Sequence, residues 1–175
     1  MNNQGKYCKK YSKLIFILFI SILFISCSKS IVPDDFEIPI RLETSNFIIR
    51  PITVLDTEKD YEAVMESINI IHKTLLSNAW PGKNFSVVQN KRELSEKESR
   101  FESKSSFTYT VLNLDESKVL WCVYINKGIG GPDAAVFMWV RKSEYENDLD
   151  SLLEKSVRKW IAEKWPFKWV VYPGR

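Results

Sequence analysis

One histidine, three cysteines and six tryptophans bound the chemistry open to this 175-residue chain. His72 stands alone, so neither a serine–histidine–aspartate relay nor a zinc site has an ordered set of partners. Late in a helical stretch, it reads as a solvated side chain. Cys122 lies inside the apolar run VLWCVYIN, where a thiol packs as a small hydrophobe rather than serving as an activated nucleophile. Gly128, Gly130 and Gly131 in KGIGGPD lack Walker spacing, and the lysine precedes them, so the string reads as a hairpin loop. Glu62 and Glu66 are available as bases by position only. No catalytic residue and no metal site is assigned. Trp121, Trp139 and Trp160 fall in apolar strands and on a helical stripe, which places them in a core. Trp80, Trp165 and Trp169 fall at element ends with Tyr172, where they could line a cleft for a small-molecule or peptide ligand.

The elements that must position these residues begin after an unusual amino terminus. Residues 1–26 carry Lys6, Lys9, Lys10 and Lys13 and no acid, and LIFILFISILFI from Leu14 to Ile25 is apolar apart from Ser21. A basic stretch followed by a short apolar run is the layout of an export signal. Twelve residues make a helix of about 18 Å, short of the ~30 Å hydrocarbon core a spanning helix must cross. The run ends in LFISC, which resembles the lipobox of bacterial lipoproteins, with Ser26 before Cys27 and Phe24 where that family favours an aliphatic residue. The resemblance implies cleavage before Cys27, lipidation of its sulfur with palmitate-type acyl chains, and attachment to membrane lipid in the bacterial cell envelope, on the periplasmic side or at the outer membrane. More than one acyl chain makes such attachment stable. With Cys8 removed and Cys27 modified, Cys122 is the single thiol of the mature chain. Residues 27–40 read as a tether and residues 41–175 as one domain.

Without residues 1–26 the chain holds 21 basic and 22 acidic side chains, so it offers no clustered positive face for nucleic acid. A content of 45% hydrophobic and 27% charged residues excludes a disordered or low-complexity chain. Phe47 to Ile52 (FIIRPI) predicts a strand stopped near Pro51. Asp56 or Thr57 is placed to cap a helix from about Thr57 to Leu76, whose apolar face is Tyr61, Val64, Met65, Ile68 and Ile71. Asn78 to Asn84 breaks it, and Ser86 to Lys104 predicts a second, exposed helix. SFTYTVL alternates as a half-buried strand, whereas VLWCVYIN and AAVFMWVR read as central strands joined in an antiparallel meander. Leu149, Leu152, Leu153, Val157, Trp160 and Ile161 form a third helical stripe behind the caps Asn147 and Asp148. WVVY at Trp169 to Tyr172 is a last strand.

This order, with LETSNFIIRPITVLDTEKDYEAVMES at Leu42 to Ser67, resembles the GNAT superfamily of N-acetyltransferases. The resemblance covers about Arg41 to Tyr172. It implies an α+β fold: a mixed, mainly antiparallel sheet flanked by helices, here truncated after the strand that follows the third helix. It also implies an acetyl-CoA or other acyl-CoA cofactor, with the backbone of Met138, Trp139 and Val140 along the pantetheine and Arg141 and Lys142 meeting the phosphates. The activity implied is N-acyl transfer. The phosphate loop of that family is rich in glycine because backbone amides must approach a pyrophosphate closely. Lys142 to Asp148 contains no glycine and three acids, Glu144, Glu146 and Asp148. The domain therefore reads as a degenerate GNAT domain, with a non-catalytic binding or interaction module as the alternative. Location points the same way, since charged acyl-CoA does not cross a bilayer unaided.

Overall fold

The computed structural model describes residues 29–75, 77–145 and 149–175. The stretch read as an export signal, Cys27, Leu76 and the predicted caps Asn147 and Asp148 lie outside the described residues. Six strands form one curled sheet in sequence order: β1 (Leu42–Glu43), β2 (Ile48–Pro51), β3 (Phe107–Leu112), β4 (Val119–Lys127), β5 (Ala134–Val140) and β6 (Val170–Val171). All neighbours are antiparallel except β5 and β6, which run parallel. The meander β3–β4–β5 is the expected one, because its links are short and turn-rich. Its strands are more buried than the alternation of SFTYTVL implied: all six residues of β3 are buried. The hairpin partner β1 was not legible, since two residues carry no period.

Helices α1 (Thr57–Glu66), α2 (Ile68–Leu75) and α3 (Val87–Glu102) pack on one face. The predicted single helix is broken at Ser67, where φ −112° and ψ 11° leave the helical region. Ser67 is buried, and its hydroxyl accepts from the amide of Lys142 at 3.0 Å. A tertiary bond thus overrides an unbroken apolar period. Asp56 does not cap α1 with its side chain; its carboxylate instead takes Nη1 and Nη2 of Arg50, each at 2.8 Å. Ser86 caps α3 by accepting from the amide of Gln89, and the second helix stands where its composition placed it.

The opposite face is covered by α5 (Leu149–Lys164), which follows the short α4 (Lys142–Tyr145). Leu153, Val157, Trp160 and Ile161 bury the predicted stripe, while Leu152 is 38% exposed at its margin. Trp121, Trp139 and Trp160 are core residues, as expected. Trp165 joins them, stacked on Phe167 and edge-on to Phe107, because the chain turns at Pro166 and drives both rings inward. The stretch read as a tether is packed as well. Val32 is buried, Ile31, Phe36 and Ile38 lie against the same core, and Tyr109 Oη donates to the carbonyl of Pro39 at 2.8 Å.

Candidate functional site

Two places in the fold could hold a ligand. The first is where β5 and β6 part. Their ladder holds only at Ala134–Val170 and Ala135–Val171, and toward Met138 the strands no longer pair. The side chain of Arg175 enters this gap. Its Nη1 lies 2.6 Å from both Asp150 oxygens, and Nη2 donates to the Met138 carbonyl at 3.2 Å. Glu154 stands 3.8 Å away. Gly174 brings the segment against α2; a Cβ there would lie 2.9 Å from the Thr74 carbonyl, at a φ of +81° that few L residues adopt. A cavity of about 670 Å³ beside this segment is bordered by Lys73, Val140, Tyr145, Asp150 and Glu154.

The residues predicted to meet a cofactor sit around this gap. Met138, Trp139 and Val140 are buried. Arg141 lies at the end of β5 with Nε 2.6 Å from Glu66 Oε2 and Nη1 3.3 Å from the Val119 carbonyl. Glu66 also accepts from the Ser143 amide at 2.8 Å. Burial works against ionisation of Glu66, but the hydrogen bonds from Arg141 and Ser143 outweigh it and hold the carboxyl below the usual range. An acid held as an ion-pair anion is a poor proton acceptor, so Glu66 is a structural partner and not a base. Glu62 is exposed. Lys142 uses its amide on Ser67 and leaves its side chain exposed.

The second place is a cavity of about 460 Å³ between α2, α3, β4 and β5, lined by Leu75, Trp80, Tyr124 and Phe137 with Glu93, Lys97 and Asn126. Such a volume suits a small organic molecule. Tyr124 and Phe137 face each other across the β4–β5 register and so project from one face of the sheet. Trp80 is fixed by its indole N–H, which donates to Glu93 at 2.8 Å, and by an edge contact with Phe85. Lys97 lies 3.7 Å from Glu93 and 5.9 Å from the Trp80 ring centroid. At the mouth, Arg92, Glu96 and Arg100 add three charges. Arg100 pairs with Glu96 at 3.7 Å, whereas Arg92 has no ion pair among the described residues, so the rim carries one surplus positive charge.

Beneath this cavity runs a polar chain that the sequence reading missed. Cys122 Sγ donates to Asp60 Oδ1 at 3.3 Å, Asn90 donates to Asp60 Oδ2 at 3.0 Å, and Trp139 Nε1 donates to Tyr124 Oη at 3.0 Å. Burial raises the Asp60 carboxyl above its ordinary range, although hydrogen bonds from Asn90 and Cys122 oppose it. Burial, and then the nearby Asp60, push the Cys122 thiol well up. This agrees with the reading of Cys122 as inert. His72, expected as solvated, is half-buried, with Nε2 3.3 Å from the Pro81 carbonyl. The KGIGGPD loop is the expected β4–β5 hairpin, with Gly130 and Gly131 at positive φ. Of the element-end aromatics only Trp80 lines the cavity. Trp165 is in the core, Trp169 is 56% exposed, and Tyr172 lies under the Arg158 guanidinium at 3.8 Å. Among the described residues no group of His, Cys, Asp or Glu is arranged for a metal ion, and no helix is long and apolar enough to cross a membrane.

A curled, mainly antiparallel sheet, with three helices on one face, one long helix on the other and a parting between its last two strands, is the GNAT acetyltransferase fold. Solved structures similar to this chain bear that out. A RimL ribosomal L7/L12 alpha-N-protein acetyltransferase in complex with coenzyme A matches with a TM-score of 0.57 at 12% identity, over 70% of this chain and 67% of the other. A probable acetyltransferase gives 0.61 at 12% identity, over 75% and 72%. The ribosomal-protein-S5-alanine acetyltransferase of Vibrio fischeri gives 0.53 at 16% identity, over 70% and 67%. Such identities speak to the fold alone. No protein-family model matches the chain, and no curated protein does.

Proposed function

We propose that this chain is a lipid-anchored GNAT-fold domain of the cell envelope that binds a small ligand and does not transfer acyl groups. The observation that carries the reading is Arg175 in the gap between β5 and β6, bonded to the Met138 carbonyl and both oxygens of Asp150. The residues there do not fit an acyl-CoA. A pantetheine would need the backbone polar groups of Met138 to Val140, one of which Arg175 already uses. A pyrophosphate would need several free cations and close amides, yet Arg141 is paired with Glu66 and Arg175 with Asp150, which leaves Lys73 and Lys142 as the nearby cations without an ion pair among the described residues.

The cavity under Trp80 supports the binding half of the proposal. Three aromatic walls would take a flat or apolar body, and the surplus charge of Arg92 at the rim favours a single negative group. The ligand class is therefore a small aromatic or apolar molecule with one carboxylate or sulfonate. The competing reading, CoA-dependent N-acyl transfer, draws support from the similar structure solved with coenzyme A. Titration calorimetry with acetyl-CoA separates the two. Silence up to millimolar concentration is the expected result, and micromolar binding would overturn the proposal. The fluorescent aromatic anion anilinonaphthalene sulfonate should bind the folded protein and lose affinity in Trp80→Ala and Arg92→Glu.

A further inference from the structure

We infer that the tip of the β4–β5 hairpin, together with Trp169, is the surface by which the domain rests on the bilayer that holds its acylated Cys27; the inference rests on the anchor proposed above. Ile129 at the hairpin tip is 94% exposed and Trp169 is 56% exposed. The segments that carry them are tied to each other. Asp133 Oδ2 accepts from the amides of Lys168 and Trp169 at 2.7 and 2.9 Å, and the Asp133 amide donates to the Trp169 carbonyl at 2.9 Å. The Trp169 ring lies against Gly131, where a Cβ would stand only 2.8 Å from it. Two large apolar side chains held outward by a tied loop cover no core. They are free to meet an apolar partner.

The entering chain lies on this same side. Lys29 and Ile31 border the same surface depression as Lys127, Gly131 and Lys168. The Ile31 amide donates to the Lys104 carbonyl at 2.9 Å, which fixes the direction of entry. Cys27 is two residues before Lys29, and two residues span at most about 7 Å. A diacylglyceryl group on Cys27 would bring headgroups and acyl chains to this side of the molecule. Isoleucine and tryptophan at that depth suit the interfacial region. Lys127 and Lys168 flank the tip, and their stems can lie along lipid while the ammonium groups stay in water. The exposed acids Asp34, Asp35 and Glu37 follow on the entering segment and offset these cations, so contact is driven by apolar insertion and does not need anionic lipid.

The test uses the full, acylated protein in phosphatidylcholine vesicles, with an environment-sensitive fluorophore on Ile129→Cys or, as control, on Leu114→Cys. Leu114 is 53% exposed and sits in the β3–β4 turn, at the opposite end of β4. Both sites are exposed enough for substitution to spare the fold. The expected result is a blue-shifted emission and loss of iodide quenching at position 129 only, with the same outcome when phosphatidylglycerol is added. Equal iodide quenching at both positions, with acylation of Cys27 verified by mass spectrometry, overturns this surface and leaves the anchor standing. An unmodified Cys27 and no vesicle association overturns both. Shielding at position 129 without vesicles, growing with protein concentration, assigns the surface to a second copy of the chain and also overturns the inference.

Discussion

Removing the Arg175 guanidinium tests the feature on which the functional reading turns. In Arg175→Ala the Met138 carbonyl loses this donor and Asp150 is left beside Glu154. The pair is largely shielded, with side chains 10% and 25% exposed and a 2.6 Å contact. A hydrogen bond to a charged group is worth about 1.5–3 kcal/mol net. Asp150 keeps some access to water and recovers part of that on rehydration, so the expected loss is about 2 kcal/mol. For a chain of this size that lowers the melting temperature by about 4–8 °C. Asp150→Ala strands a cation with little solvent and should cost more, about 3 kcal/mol. Because each variant removes the same contact, their effects overlap: the double variant should be less destabilised than the sum, with a coupling of about 1–2 kcal/mol. Urea unfolding followed by tryptophan fluorescence measures all four corners of the cycle. Additivity within about 0.5 kcal/mol would mean that Arg175 is not held in the gap, and the argument against acyl-CoA would lose its footing.

Two further outcomes follow from buried groups elsewhere. Burial opposes ionisation of Asp56, but hydrogen bonds from Arg50 and Thr53 win and hold its carboxyl below the ordinary range. A lowered folded-state pKa gives stability that is present above the unfolded value and lost as pH falls through the folded one. Asp56→Asn should therefore be less stable near neutrality by about 2–3 kcal/mol, and lose less than the native chain as pH falls below about 4, as read by urea melts at each pH. Alkylation of Cys122, followed on its own peptide by mass spectrometry, should proceed no faster than global unfolding, since the thiol is buried and its pKa raised by burial and then by Asp60; labelling at the rate of a free thiol would contradict this.

What the sequence disclosed and what it withheld divide along the range of the interactions involved. The stripe Leu153, Val157, Trp160 and Ile161 and the runs around Cys122 and Trp139 are local patterns, and each became the predicted element. The break at Ser67 depends on Lys142, 75 positions away, and nothing in the period of Tyr61, Val64, Ile68 and Ile71 announces it. Arg141 was readable as a cation at the end of a strand, but not as the partner of Glu66. Asp60 was invisible as a buried acid because its surroundings, Asn90 and Cys122, come from two other elements. Trp80 was singled out at an element end and does line a cavity, yet its cavity partners Tyr124 and Phe137 lay in strands whose apolar content suggested only core.

The strap formed by residues 31–39 has a mechanical consequence. Its backbone is tied at Ile31 to Lys104, the ammonium of Lys104 donates to the carbonyls of Asp34 and Phe36, and Phe36 sits 5.7 Å from Trp165. If Cys27 carries the proposed lipid, a pull passed to Ile31 would reach the aromatic centre of the molecule through this strap, so the domain would hold a set height and tilt above its support instead of tumbling on a leash.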